Sequence, residues 1–303
     1  MRLAKGIFLA IIILLRIPFL VYCQQPKEEK PTENPSGKII YLKIYGGYGI
    51  LTPGSNILSA STPAIGGSSS AFTNSKIGLG AGLHFGGGLG VILNDFLNVG
   101  IDAEYLKAED ISINATYSNS PYYSFQSQLL SHSTLSIIPN ITFKAFSKPT
   151  YYFYTRLGIL VDLHTNLELK GNDSTYNASM GNTYVYLTNG DQKYVYNLNL
   201  GAQIAVGIQF RISEILRGFA EIAGNFLPVS PTTLNWTFTN RDYTNGGAPT
   251  TTNYINNFTY AKSGSNQFQT STSGNTVTSS ETLPKVTQNI NYIGLNIGLV
   301  LRL

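Results

Sequence analysis

With 12% charged and 43% hydrophobic side chains in 303 residues, the chain is long enough to bury a sizeable core but poor in charge for an ordinary solvated surface. Its formal charge of +4 falls to about +1 once residues 1–23 are set aside, because Arg2, Lys5 and Arg16 lie there and no acidic residue does. That leaves no basic excess for nucleic acid. Cys23 is the one cysteine, so neither a disulfide within the chain nor a thiolate zinc cluster can be built, and no cofactor or metal-ligand motif stands elsewhere.

Arg2 and Lys5 precede the apolar run Ile7–Leu15, and Val21-Tyr22-Cys23 before Gln24 is an acceptable export cleavage region, so residues 1–23 read as a signal peptide. An uncleaved anchor is the competing reading, but the run falls short of the ~20 residues a helical span needs. Lipidation of Cys23 is the other, with Tyr22 bulky for the place before an acylated cysteine. Residues 24–37, with Pro26, Pro31 and Pro35 around the charge run Lys27–Lys30, read as a disordered periplasmic leader.

From there apolar residues recur at every second position. Strand one, residues 38–51, sets Ile40, Leu42, Ile44, Tyr48 and Ile50 against Tyr41, Lys43, Tyr45, Gly47 and Gly49. Residues 52–75 read as a loop, and strand two, 76–91, sets Ile77, Leu79, Ala81, Leu83, Phe85 and Leu89 against a face of glycines that includes His84. Strand three, 96–106, carries Asp102 and Glu104 on its polar face, and a loop over 109–128 follows. Strand four, 133–145, carries Lys144; strand five, from Tyr152, carries Arg156 and Asp162; a loop spans 165–194. Strand six, 196–212, carries Arg211, strand seven carries Glu221, the longest loop covers 227–285, and strand eight, 292–303, ends in Arg302. Connections thus alternate long and short, and none of the eight aliphatic faces holds a charge.

A soluble lipid-carrier barrel alternates in the same way, but its solvated face would hold more Lys and Glu and less Gly. A lipid-facing charge near the midplane costs ~2–4 kcal/mol, so charge-free aliphatic faces are expected of a membrane barrel. The predicted fold is therefore all-β, an eight-stranded antiparallel up-and-down transmembrane barrel over residues 38–303, with short periplasmic turns and long extracellular loops, in a bacterial outer membrane. On these features the chain resembles the small outer-membrane β-barrels of Gram-negative bacteria, the group that includes the OmpA membrane domain and OmpX. The C-terminal run carrying Asn296, Gly298, Leu301 and Leu303 is similar to the insertion signal read by the barrel-assembly machinery, with Leu303 in place of the terminal aromatic common in bacterial members. The resemblance implies a monomer in outer-membrane lipid and lipopolysaccharide, and a lumen closed by a side-chain network.

Eight strands leave an interior just wide enough to be filled by side chains. Lys43, Lys144, Arg156 and Arg211 are expected to pair there with Asp102, Glu104, Asp162 and Glu221, beside His84 and Arg302, because unpaired charges in a narrow lumen are costly. A satisfied polar plug is the first reading of that set and an ion-conducting network the second. Lipid A-modifying enzymes on this scaffold use His with Ser and an acid, but neither His84, His132 nor His164 has such partners at a telling spacing, so no catalysis is expected. Function is then sought in the loops, where Trp236, Phe238, Tyr243, Tyr254 and Phe258 form a candidate surface for an extracellular ligand. The expected role is envelope structure or surface interaction and adhesion.

Overall fold

The computed structural model describes residues 39–51, 79–119, 122–179, 182–245, 247–262 and 269–303. The expected signal peptide, the leader and the loop over 52–75 lie outside them.

The described chain is all-β. Its strands are β1 (Ile40–Leu51), β2 (Gly82–Ile92), β3 (Leu97–Ala108), β4 (Ile111–Asn119), β5 (Tyr122–Ser147), β6 (Tyr151–Ser179), β7 (Asn182–Tyr196), β8 (Asn199–Arg211), β9 (Leu216–Val229), β10 (Pro231–Thr244), β11 (Thr250–Ala261), β12 (Gln269–Ser273), β13 (Thr276–Pro284) and β14 (Gln288–Arg302). All fourteen join one sheet, antiparallel except where β13 runs parallel to β11. Fourteen strands therefore stand where eight were expected.

The pairings nevertheless close on themselves. β1 pairs with β2, β2 with β3, β3 with β5, β5 with β6, β6 with β8, β8 with β9, β9 with β14, and β14 returns to β1. Within this ring the alternation points the aliphatic side chains outward and exposed: Ile44 is 62% accessible, Leu83 64%, Leu200 60% and Ile297 66%. The opposite register is buried and carries Lys43, His84, Asp102, Glu104, Arg156, Glu221 and Asn296. Hydrophobic residues outside and charges inside reverse the order that water imposes on a folded chain.

β5 and β6 outgrow the ring. β6 pairs with β8 from Tyr151 to Asp162, then takes β7 as its partner from Leu167 to Ser179, while β5 leaves β3 at Ser133 and pairs with β4 from Leu130 to Tyr122. β10 follows β9 directly and pairs with β7 and β11, with β13 and β12 beyond. The stretches 109–128, 165–194 and 227–285, expected as loops, are thus largely strands that extend the sheet past one end of the ring. Their Thr, Tyr and Val suit a pleated backbone even without an aliphatic face, and cross-strand pairing supplies the order that a missing core seemed to deny.

Strand two begins later than its pattern predicts. Gly82 adopts φ +153°, and a Cβ there would run into the Lys107 carbonyl oxygen, so the position requires glycine. This bend puts Leu79 and Ala81 inside although Leu83 and Phe85, in the same nominal register, face out. The interior is accordingly not all polar. Leu79, Leu106, Ile111, Leu130, Ile138, Leu160, Leu167 and Leu227 form an apolar layer toward the extension. A second cluster, with Tyr41, Tyr45, Tyr152, Tyr154 and Phe219, packs toward the short turns.

Candidate functional site

The charged centre of the ring is set by register. Lys43 on β1, Gly88 on β2 and Asp102 on β3 stand in one cross-strand row, so the glycine leaves room for Lys43 Nζ to reach Asp102 Oδ2 at 3.3 Å. The same device recurs twice. Tyr45, Gly86 and Glu104 share a row in which the phenol donates to Glu104 Oε2 at 2.9 Å. Tyr154, Gly207 and Glu221 share another, closed by a bond of 2.8 Å to Glu221 Oε2. In each case a donor bridges two strands to an acid across a glycine.

Arg156 ties these rows together. It gives Nη1 to Asp102 Oδ2 at 2.9 Å and Nη2 to Glu221 Oε1 at 2.5 Å, and Lys43 Nζ lies 3.8 Å from the same Glu221 oxygen. Two cations face two anions, all 7% accessible or less. Asn296 Nδ2 adds a bond of 3.0 Å to Glu221, and Tyr292 donates to Glu104 Oε1 at 2.6 Å. His84 packs edge-on against Tyr292 with its Nδ1 3.5 Å from Glu104. Buried ions matched in number, with Glu221 also hydrogen-bonded by Tyr154 and Asn296, approach the condition under which such groups are tolerated, although Arg156 Nε has no hydrogen-bond partner. The space left beside them, lined by Tyr41, Asp102, Tyr152, Arg156 and Arg302 among others, is about 40 Å³, room for a few waters.

Other anticipated members stand apart. Asp162, wholly buried, accepts from Thr165 at 2.8 Å and Asn199 at 2.9 Å rather than facing Lys43 or Arg156. Lys144 is half-buried with Nζ 5.4 Å from the Tyr152 ring centre, and Arg302 is buried near the chain end. Arg211 is a correction. It is exposed, because β8 ends there and the chain turns, whereas Arg217 of the paired position is buried at this end and stacks on Tyr152. Arg217 could have been found by carrying the polar register of strand seven one step upstream. Of the histidines, His84 and His132 are buried, whereas His164 is exposed two residues from Asp162.

The residues matched to the insertion signal also have places in the barrel wall. Asn296 faces the charges, a Cβ at Gly298 would meet the Phe219 ring, Leu301 is half-buried, and Leu303 is exposed with its amide on Ile40 O at 2.9 Å.

In the extension, Trp236 and Phe238 on β10 lie 4.8 Å apart, and Phe238 stacks on Tyr254 of β11 at 4.5 Å and 7°. Phe258 shares their face opposite Leu234, and Tyr243 falls on the other face by register. Nearby, burial and then Tyr194 push the Tyr260 phenol up to about 12, which keeps it a neutral donor.

A contrast between two glycines tests the row geometry. A Cβ at Gly207 would sit 2.6 Å from the Tyr154 ring, whereas one at Gly224 meets nothing closer than 3.4 Å. Gly207→Val is expected to lower unfolding free energy by about 1–3 kcal/mol or more. Gly224→Ala should change it by less than about 0.5 kcal/mol. Urea midpoints of the chain refolded in lipid vesicles read both.

No protein-family model and no curated protein matches the chain. Among solved structures it is similar to the outer-membrane protease OmpT of Escherichia coli, at 9% identity over 92% of this chain and 100% of that one, with a TM-score of 0.29. A FadL homologue of Pseudomonas aeruginosa follows at 6% identity over 88% and 89% with a TM-score of 0.15, and the CymD monoaromatic hydrocarbon channel at 8% over 88% and 89% with 0.16. Superpositions this loose leave the architecture to rest on the strand pairings, and those define an all-β, mostly antiparallel sheet that closes into a ring with its charges inside.

Proposed function

We propose that the chain is an integral outer-membrane β-barrel protein in which the eight ring strands cross the bilayer, the lumen is plugged, and the extension stands outside the cell as a surface for interaction or adhesion. One observation carries this reading: the ring exposes its aliphatic side chains and buries its charges, as lipid outside and a narrow polar interior require. The eight strands of the ring support a likeness to the small barrels of the OmpA and OmpX kind, here with a far larger extracellular sheet. Monomeric insertion through the barrel-assembly machinery into a lipopolysaccharide membrane, after removal of residues 1–23, belongs to the same proposal.

Single-channel recording on the chain from Gln24, refolded in a planar bilayer, tests the plug. The expected result is silence from folded protein, because the Arg156 cluster and the apolar layer above it fill the lumen. Steady current steps would replace the plugged barrel by a narrow channel.

A further inference from the structure

Above the apolar layer the inner face of the ring continues into the extension and encloses a cleft of about 310 Å³. Its floor is one cross-strand row of Gln128, Gly171, Gly190 and Phe238. Two adjacent strands thus present glycine side by side, and the backbone sinks to a trough between an amide and an aromatic ring. The row nearer the ring adds Leu169, Gln192 and Trp236, whose indole nitrogen stands over Gly190, 3.3 Å from where a Cβ would lie. The row farther out adds Gln126, Asp173 and Thr188.

The polar groups are already held in place. Asp173 accepts from Gln126 Nε2 at 3.0 Å on one oxygen and from Ser124 Oγ at 3.2 Å on the other, while Thr188 donates to Asn240 at 2.8 Å. The ring of Phe238 is fixed from behind by the stacked Tyr254. The mouth of a barrel is a usual place for a small-molecule site, and the volume is at the small end of the roughly 300–1,000 Å³ such sites occupy.

We propose that this cleft binds an uncharged saccharide, an inference that rests on the extension lying outside the cell. A pyranose has a face of polarised C–H bonds that suits the negative π-face of Trp236 or Phe238, and a rim of hydroxyls that both donate and accept. Gln126, Gln128 and Gln192 offer both functions from one amide, and Asp173 offers acceptors only. The lining contains one carboxylate and neither lysine nor arginine, which disfavours sialylated, sulfated or phosphorylated glycans. A flat trough floored by glycine takes a ring laid against it, and about one or two pyranose units fill the volume.

Trp236 is the sole tryptophan of the chain, so its emission reports on the cleft alone. The full chain from Gln24, refolded in vesicles and checked by heat-modifiable migration, is titrated with methyl glucoside, methyl galactoside, N-acetylglucosamine and β-linked disaccharides of these. Iodide quenching is followed in parallel. The expected result is a saturable emission change with Kd on the order of 1 mM, together with protection from iodide. Asp173→Asn should weaken binding roughly tenfold. Gly171→Leu should abolish it without unfolding the chain, since a Cβ there meets only ordinary contacts at 3.5 Å or more. No response to any of these sugars from folded protein whose Trp236 is quenchable overturns the saccharide site and leaves the barrel standing. A saturable response to choline chloride instead, drawn by Asp173 and the rings, overturns it too. A tryptophan shielded from iodide without ligand closes the cleft and overturns this inference alone, whereas failure to fold in lipid overturns the outer-membrane reading and this inference with it.

Discussion

Arg156→Met is expected to cost about 3–5 kcal/mol of unfolding free energy, the largest effect of any single change in the interior. The loss does not come from missing contacts alone. Asp102 and Glu221 are each within 2.9 Å of Arg156, and once it is gone they share a single cation, Lys43, at 3.3 and 3.8 Å. Two carboxylates in a space with room for only a few waters then repel each other and lack solvent. Adding Glu221→Gln to Arg156→Met should therefore recover stability rather than lose more, since the amide oxygen can still accept from Asn296 and the amide nitrogen can donate to the Tyr154 hydroxyl, while the excess negative charge disappears. A coupling of about 1–3 kcal/mol between the two positions is the expected sign of the cluster. The measurement is a double-mutant cycle on urea unfolding in lipid vesicles. If Arg156→Met alone costs less than about 1 kcal/mol, the charges are hydrated, and a conducting lumen becomes the better account.

The alternation from Ile40 to Leu51, or from Tyr292 to the C-terminus, could be read directly because a side chain's face depends only on its parity along a strand. The eight ring strands and the inward charges on them follow from that single rule. What parity does not carry is register between strands. That Lys43 faces Asp102 across Gly88, or Tyr154 faces Glu221 across Gly207, depends on which residues lie opposite, and nothing local in the sequence states it. The glycine-rich face of β2 is legible in the sequence, but not the side chains that crowd it: Tyr41, Tyr45 and Asp102.

The extension was missed for a different reason. Residues such as Asn235–Asn240 have polar or aromatic side chains on both sides and present no aliphatic face, so by pattern alone they resemble loop. Their order comes from neighbours forty or more residues away, Gln192 opposite Trp236 and Gly190 opposite Phe238. Arg211 failed at the other limit of the parity rule, since at the last position of a strand the backbone turns and inward parity no longer guarantees burial.

Ile297→Arg separates lipid from water outside the ring. Among the described residues Ile297 is the most exposed large hydrophobic one, at 66%, and it stands mid-strand on β14 between Ala220 of β9 and Gly46 of β1. Neighbours so small give its side chain little protein to touch, so replacing it disturbs little packing. In water such a change should fall within about 0.5 kcal/mol of neutral. In a bilayer it places a guanidinium near the midplane, and the expected cost is about 2–4 kcal/mol. Leu303→Arg supplies the internal comparison. Leu303 is 54% exposed but lies at the end of the ring beside Ile40, where the cost should shrink to about 0–1 kcal/mol. A soluble barrel has no depth, so it would show two small and similar values. A steep difference between the two positions, read as urea midpoints in vesicles and as protein recovered in the outer-membrane fraction, is what a membrane produces, because only a slab of hydrocarbon penalises the same charge by its height along the strand.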